Sequence, residues 1–281
     1  MIDWFLILIA LVWIVTASIW DLKKREVPNW LNFSLIVFAL SYRAIYSVYF
    51  WDASSFVYGV IGFGIFFGLA NAFYYGRLFA GGDAKLLMGL GAVLPVYSAI
   101  SLNAMILGMF ILLLLFAGSF YGLVYSFGLV VINWKNFAKE FPKQMKSRKR
   151  YFIFGAILTL SSLLMIFYLR DFSLFAFTLI FILFPFLFVY ARTIEESCMI
   201  CVLHPSKLTI GDWLYEEVKV GKRKIKPYWE GLSEDEIGLL RKYNKKVKVK
   251  NGIPFVPAFL IAYVILLFGV YFGLEYFMFW I

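Results

Sequence analysis

Charged side chains are scarce in this chain of 281 residues. Asp, Glu, Lys and Arg make up only 16% of it, hydrophobic residues make up 63%, and the mean hydropathy is +0.82. Soluble proteins contain about 25% charged and about 45–50% apolar residues. The composition therefore excludes an ordinary soluble domain, and it also excludes a disordered chain, which requires low hydrophobicity.

The sequence also contains only two cysteines and no apparent internal repeat. The two cysteines, Cys198 and Cys201, lie too close together to connect distant segments, which excludes a disulfide scaffold. The sequence shows no internal repeat, and this weighs against a transporter built from duplicated halves.

The chain contains long apolar runs instead. Runs of about 17–25 apolar residues are typical of membrane-spanning helices. The sequence therefore predicts an all-α polytopic membrane helix bundle of about eight spans. The first run follows Asp3 and precedes a basic cluster, the reverse of a signal peptide, so we predict a retained helix. The eight runs are at about 4–20, 31–50, 56–75, 84–101, 105–132, 151–169, 173–191 and 254–279.

Basic residues are sorted between these runs. Four segments, 21–30, 76–85, 133–150 and 192–253, hold 25 of the 27 Lys and Arg, and they are every second gap along the chain. The positive-inside rule places these segments in the cytoplasm and both termini outside. We therefore predict a multi-pass protein of the cell membrane. Its net charge of +10 then reflects membrane orientation, and we expect no nucleic-acid partner.

The hydrophilic segment 192–253 divides the chain into three predicted parts. These are a membrane bundle over 1–191, a small cytoplasmic domain over 192–253 and a C-terminal membrane helix over 254–281. About sixty residues suffice only for a small α+β insertion. Its local signals are a turn, two β-branched runs and a helix opened by a capping box, at Gly211-Asp212, Val218–Val220, Val247–Val249 and Ser233 with Glu236.

Two aspartates lie at the predicted cytoplasmic ends of spans. Asp21 ends the first span, and Asp83 begins the fourth one 62 residues later. Ionisable residues at membrane depth are costly and often functional. Two carboxylates that meet would share a proton, so that one acts as a base toward water and the other polarises a carbonyl, as in aspartic proteases. The alternative is that Asp21 pairs with Lys24 or Arg25 and that Asp83 caps a helix.

Residues around the aspartates are further candidates for the site. Gly81 and Gly82 lack Cβ and would let an extended peptide approach closely as an added strand. Lys85 either tunes Asp83, holds a substrate carboxylate or extends to the membrane interface. Pro28 and Asn29 either support the site or simply end a loop and cap the second helix.

Both aspartate segments resemble a known family. Asp21-Leu22-Lys23-Lys24-Arg25-Glu26-Val27-Pro28-Asn29 is similar to the Asp segment of type IV prepilin peptidases, which are membrane aspartic proteases of the GxGD type. Ala80-Gly81-Gly82-Asp83-Ala84-Lys85-Leu86 resembles their Gly-x-Gly-Asp-x-Lys-Leu motif, with Ala80 in place of the first Gly. The segments 211–214 and 251–260 resemble the archaeal branch, which includes the preflagellin (prearchaellin) peptidases, whereas 105–190 is generic hydrophobic sequence.

The resemblance implies a membrane aspartic endopeptidase. Such an enzyme removes short basic leaders from prepilin or preflagellin (archaellin) precursors at the cytoplasmic face of the membrane. Its partners are precursors with class III signal peptides and the lipid bilayer, and it needs no cofactor. The catalytic residues would be Asp21 and Asp83, with substrate-binding or motif-supporting roles for Gly81, Gly82, Lys85, Pro28 and Asn29.

Two other features are assigned to simpler roles. Cys198, Cys201 and His204 offer three zinc ligands within seven residues. Bacterial members of the family can carry a metal site with two Cys-x-x-Cys pairs, but the second pair is missing here, so we predict no metal. The basic run 143–150 is predicted to set topology and attract anionic lipid head groups.

Three further functions compete with this prediction. A presenilin-like intramembrane protease is disfavoured by the Asp-Leu-Lys-Lys-Arg and Val-Pro-Asn context. A transporter or channel would place its carboxylates near the bilayer midplane, whereas Asp21 and Asp83 are predicted at one edge. A non-catalytic scaffold for pilus or archaellum assembly requires that the two carboxylates be far apart or dispensable. The sequence leaves the oligomeric state and the physiological precursor open.

Overall fold

The computed structural model describes residues 4–221 and 223–272, which form ten α-helices and five short strands. The chain divides into a first unit, residues 1–124 with 253–281, and a second unit, residues 125–252. The helices are α1 (Trp4–Lys24), α2 (Asn29–Tyr49), α3 (Ser54–Tyr75), α4 (Gly81–Val93), α5 (Ile100–Ile132), α6 (Trp134–Ser147), α7 (Lys149–Leu169), α8 (Phe175–Ser197), α9 (Glu234–Lys242) and α10 (Val256–Tyr271). The strands are β1 (Ile200–Leu203), β2 (Trp213–Leu214), β3 (Val218–Val220), β4 (Arg223–Ile225) and β5 (Val247–Lys250).

The predicted membrane helices are confirmed in part. Six described helices are long and apolar enough to cross a bilayer, namely α1, α2, α3, α5, α7 and α8. At about 1.5 Å per residue, a helix of the length of α1 spans the roughly 30 Å of a hydrocarbon core. The eighth predicted run forms α10 over its described part, and residues 273–279 of that run lie outside the described residues.

The fourth predicted run, 84–101, does not form one spanning helix. Its helix, α4, has 13 residues, which at about 1.5 Å each give a length well below the thickness of a bilayer core. The helix ends at Val93, with Leu94 as its C-cap, two residues before Pro95. Proline has no N–H to continue the helical hydrogen bonds. The apolar run therefore contains a helix end that its hydropathy does not reveal.

Helix α4 is enclosed by α2 and α3 in the first unit. Gly62 of α3 and Gly91 of α4 face each other, and a Cβ added to Gly91 would lie 2.5 Å from the carbonyl oxygen of Gly62. Small residues at such positions let membrane helices approach closely. On another side of the unit, the buried Tyr263 hydroxyl of α10 donates to the Ile7 carbonyl of α1 at 2.9 Å. The packing of the first unit thus fixes the helix that carries Asp83.

A buried arginine holds the other end of α4. Arg43 lies inside α2 and is 2% exposed. Its Nε donates to the Ala92 carbonyl at 2.8 Å, and its Nη2 donates to the Val93 and Pro95 carbonyls at 2.8 and 2.5 Å. The last carbonyls of a helix have no partner within the helix. The guanidinium therefore takes the place of the missing backbone donors.

The basic segment 133–150 is mostly helical. It forms α6, an amphipathic helix whose Phe137 is buried and lies against Tyr190 of α8, with ring centroids 5.9 Å apart. Its four lysines are exposed. The sequence predicted only a basic connection here, because its apolar positions are too few for a spanning helix.

The predicted α+β insertion is present in the second unit. Strands β1, β5 and β2 form an antiparallel sheet in that order, and β3 pairs with β4 in a hairpin. The predicted capping box opens α9, because the Ser233 N–H donates to Glu236 at 3.0 Å and the Glu236 N–H to the Ser233 hydroxyl at 3.4 Å. Leu240 and Val249 are fully buried in its core. The position of this domain in the cytoplasm stays a prediction.

Candidate active site

Asp21 lies in the last turn of α1 and is 5% exposed. Its Oδ2 accepts a hydrogen bond of 2.9 Å from the N–H of Val256, the first residue of α10. The first N–H groups of a helix lack partners inside the helix, and they carry its positive end. The N-terminus of α10 is therefore well suited to bind a carboxylate.

Asp83 occupies the first turn of α4 and is 8% exposed. Its Oδ2 accepts a hydrogen bond of 3.3 Å from the N–H of Ala80, the residue at the N-cap. This is half of a capping box, because the Ala80 side chain has no oxygen to accept a bond in return. Asp83 thus caps its helix, as the alternative interpretation expected. The cap fixes the carboxylate at the positive end of α4.

The fold brings Asp21 and Asp83 together. Helix α1 packs against α4, and the two buried carboxyl groups are close enough to interact electrostatically. Two buried carboxyl groups that interact cannot both be ionised without a cost. Lys24, one of the predicted ion-pair partners of Asp21, instead has its Nζ 4.3 Å from the ring centroid of Trp20. The arrangement is capable of sharing one proton between two carboxyl groups.

The glycines next to Asp83 do not form an extended segment. Gly81 and Gly82 begin α4, and neither is among the residues with positive φ. The predicted strand-like approach of a peptide along them is therefore not offered by this backbone. Instead, a Cβ on Gly82 would lie 3.3 Å from the Cβ of Val27, in the loop between α1 and α2. Gly82 allows this loop to pack against the start of α4.

The other predicted site residues connect α2 with α4. Lys85 donates from Nζ to the Oδ1 of Asn29 at 2.7 Å, and it lies over the ring of Phe33 at 5.7 Å. Pro28 is the N-cap of α2, and its carbonyl accepts the N–H of Leu31 at 3.0 Å. Pro28 and Asn29 therefore do end the loop and begin the helix, as one interpretation expected. Asn29 additionally binds the lysine of the second motif.

Two contributors to the site were not predicted. Val256 holds Asp21 through a backbone N–H, which has no side-chain signature in a sequence. Asn32 is fully buried in α2, and its Nδ2 donates to the Gly82 carbonyl at 3.2 Å. A signal for Asn32 does exist, because a residue three positions after Asn29 lies on the same face of a helix.

Aromatic rings border the segment that holds Asp21. The ring of Phe255 lies 5.5 Å from that of Phe79, whose ring is 5.7 Å from that of Phe259. Gly118 of α5 leaves room for Phe255, since a Cβ there would lie 2.5 Å from the Phe255 Cζ. Such apolar surroundings strengthen the interaction between charged groups.

The possible zinc ligands make other contacts. The Sγ of Cys201 accepts a hydrogen bond from Asn251 at 3.0 Å, and the Nδ1 of His204 lies 2.9 Å from the Ser206 hydroxyl. Over residues 4–221 and 223–272, no group of three or more His, Cys, Asp or Glu side chains could hold a metal ion.

Comparison with known proteins gives a consistent result. Residues 8–127 match the type IV leader peptidase family. A preflagellin peptidase of Methanocaldococcus jannaschii is 34% identical over 91 residues, which are 32% of this chain and 38% of the relative. A preflagellin peptidase of Methanococcus maripaludis is 30% identical over 90 residues, which are 32% of this chain and 39% of the relative.

The chain thus matches about two fifths of the length of these curated relatives. The matched family region contains Asp21 and Asp83 together with their motifs. The resemblance predicted from these motifs is therefore confirmed over residues 8–127, which match this family.

Proposed function

We propose that this protein is a membrane aspartic endopeptidase that removes a short basic leader from precursors of the preflagellin or prepilin type. The observation that carries the proposal is the pair of buried aspartates. Asp21 and Asp83 lie 62 residues apart in the sequence, yet both are buried, in the last turn of α1 and the first turn of α4, two helices that contact each other. Both lie in the region that matches the leader peptidase family, and both named relatives are preflagellin peptidases.

The reaction needs only the two carboxyl groups and water. The ionised carboxylate takes a proton from a water molecule as the water oxygen bonds to the carbonyl carbon of the scissile peptide. The protonated carboxyl group donates its proton to the carbonyl oxygen. The resulting tetrahedral intermediate collapses as one of its hydroxyl protons returns to the second carboxylate, the C–N bond breaks, and the leaving amine takes the proton that the first carboxylate removed from water. The Val256 and Ala80 N–H groups keep the two carboxyl groups in place during these steps.

The distribution of Lys and Arg supports our proposals for the type of substrate and for the side of the membrane on which the active site lies. Asp21 lies in segment 21–30 and Asp83 in segment 76–85, two of the four segments that hold 25 of the 27 Lys and Arg, as expected for the cytoplasmic side of a membrane. A precursor with a basic leader and an apolar helix would enter laterally from the bilayer. Its scissile bond would then lie at the membrane edge, where Asp21 ends α1 and Asp83 begins α4. We therefore place the active site at the cytoplasmic face of the cell membrane.

Cleavage of a defined precursor tests this proposal. Membranes that contain the wild-type protein are incubated with a preflagellin-type precursor and separately with a prepilin-type precursor, and the products are measured by mass. We expect a product shortened by the leader. Asp21→Asn and Asp83→Asn should abolish the cleavage, because asparagine keeps the shape and some hydrogen bonds of aspartate but cannot exchange a proton.

Asp52→Asn is the matched control. Asp52 is an exposed aspartate between α2 and α3, where it accepts hydrogen bonds from Ser54 at 2.9 and 2.7 Å. This variant should cleave at the wild-type rate. Full cleavage by either site variant would refute the two-aspartate mechanism, and no cleavage of either precursor by the wild type would refute the function.

A further inference from the structure

Asn32 is an unusual residue for the interior of a membrane helix bundle. Its side chain is 0% exposed, and its Oδ1 has no hydrogen-bond partner among residues 4–221 and 223–272. Burying an amide oxygen without a partner costs stability, whereas a leucine of similar size would fit an apolar interior at no such cost. A fold that needed only packing at this position would be better served by an apolar side chain.

The donor half of the same amide makes one specific contact. Nδ2 of Asn32 donates to the Gly82 carbonyl at 3.2 Å. Gly82 lies in the first turn of α4, where the N–H of the residue four positions later is the regular partner of its carbonyl. The contact is therefore an addition to the helical bond, and Gly82 does not depend on it for a partner.

A second contact between α2 and α4 lies beside this one, and its two residues are offset from the first pair by the same number of positions. Asn29 and Asn32 are three residues apart on α2, and their partners Lys85 and Gly82 are three residues apart on α4. Residues with this spacing lie on one face of a helix. Two side chains of α2 thus hold the first turn of α4 at two points, one on each side of Asp83.

The position of the Gly82 carbonyl determines that of Asp83. The carbonyl of Gly82 and the N–H of Asp83 belong to the same peptide group, which is planar and rigid. A bond that fixes this oxygen also fixes the plane from which the Asp83 side chain starts. We propose that Asn32 is a positioning residue, which orients the Gly82–Asp83 peptide and thereby the catalytic carboxyl group. This inference rests on the proposed peptidase function.

The substitution Asn32→Leu distinguishes a role of Asn32 in positioning Asp83 from a role in packing alone. The variant removes the contact with Gly82 together with the unpartnered oxygen. We expect its thermal midpoint in detergent to equal or exceed that of the wild type. Its kcat for precursor cleavage should nevertheless fall by about tenfold to a hundredfold, because about 1 Å of misplacement at a reacting group can cost that much. KM should stay within about twofold, since binding of the precursor is not altered.

Asn103→Leu is the matched control. Asn103 is also a buried asparagine of the first unit, 4% exposed, but its amide is bonded on both sides: it donates to the Tyr97 carbonyl at 2.8 Å and accepts the Tyr97 N–H at 2.9 Å. This substitution should lower the thermal midpoint and leave kcat of the folded protein unchanged.

Hydrogen exchange provides a measurement that needs no substrate. The amides of residues 83–87 should exchange faster in Asn32→Leu than in the wild type or in Asn103→Leu. If Asn32→Leu lowers the thermal midpoint as much as Asn103→Leu, or leaves this exchange unchanged, Asn32 is an ordinary structural residue and the inference is wrong. If the wild type cleaves and Asn32→Leu cleaves with the same kcat, the inference fails while the proposed function stands. A wild type that cleaves no precursor would refute the function, and the exchange rates would still decide on Asn32.

Discussion

Two membrane helices of equal length, one in each unit, differ greatly in the number of residues that they bury. In the first unit, α1 buries seven of its residues and the short α4 buries nine. In the second unit, α7 has the length of α1 but buries only Gly155 and Ser162. Lipid is as apolar as a leucine side chain, so burial of a membrane helix reflects close packing and polar contacts. Helices α1 and α4 of the first unit thus have the close packing expected around a functional site, whereas most residues of α7 are not buried.

The buried polar and charged side chains also differ between the two units. In the part of the chain that the structure describes, the buried Asp, Glu, Lys, Arg and His side chains are Asp21, Arg43 and Asp83, and all three belong to the first unit. The buried polar side chains of the second unit are hydroxyls, those of Ser126, Ser162, Thr178 and Thr193. Charges are retained inside a membrane protein where they have a function or a specific partner. The comparison thus predicts that substitutions of equal chemistry have unequal effects in the two units.

The largest effect on stability is expected at Arg43. Arg43→Met removes the donors for the Ala92, Val93 and Pro95 carbonyls, which lie at the buried end of α4. Buried acceptors that lose their partners cost about 1–3 kcal/mol each, so the free energy of unfolding should fall by about 3 kcal/mol or more. Denaturation of the purified protein in detergent, followed by circular dichroism, measures this change.

Arg192→Met provides the same substitution in the second unit. Arg192 is bonded to Glu195 at 2.6 Å, but 44% of its side chain is exposed. Exposed ion pairs contribute about 0–1 kcal/mol, and Glu195 keeps Lys250 as a partner. Equal losses in the two variants would contradict the difference between the units.

The sequence predicts the helices of both units better than the contacts that make the site. Six of the eight predicted runs form long apolar helices, because length and composition are enough to define a span. The end of α4 was missed because hydropathy does not register the effect of Pro95. The two aspartates could be predicted from their motifs. The Val256 N–H that holds Asp21 could not, because it lies 235 residues away and depends on tertiary packing.

A finer comparison is possible inside the first unit, between the two glycines before Asp83. A side chain on Gly82 would press against Val27, whose Cβ and N would be 3.3 and 3.4 Å from the new Cβ. We expect Gly82→Val to lower the cleavage rate by about tenfold to a hundredfold, since it displaces the turn that carries Asp83. Gly82→Ala should have a smaller effect of the same sign. Cleavage rates at matched protein amounts test the order.

Gly81→Val and Ala80→Gly are the controls for this series. A Cβ on Gly81 would meet only Tyr74, at an ordinary 3.8 Å. Ala80 has an ordinary extended conformation with φ −73° and ψ 163°, so it gains little from glycine. Both variants should cleave at nearly the wild-type rate. If Gly82→Val does so too, contact with Val27 does not position Asp83.

The smallest effect is expected at the two cysteines of the second unit. The Sγ of Cys201 accepts from Asn251 at 3.0 Å, and the Sγ of Cys198 lies 3.3 Å from the Ser197 hydroxyl. A serine hydroxyl is a similar but smaller group that both accepts and donates hydrogen bonds. We therefore expect the Cys198→Ser, Cys201→Ser double variant to cleave precursor at the wild-type rate. The wild type should also keep its rate after incubation with a strong chelator, because the proposed chemistry uses only carboxyl groups and water. A large loss of activity in the double variant, or a loss in the chelated wild type that added zinc restores, would show that the second unit takes part in the reaction. The functional contrast between the two units would then be wrong.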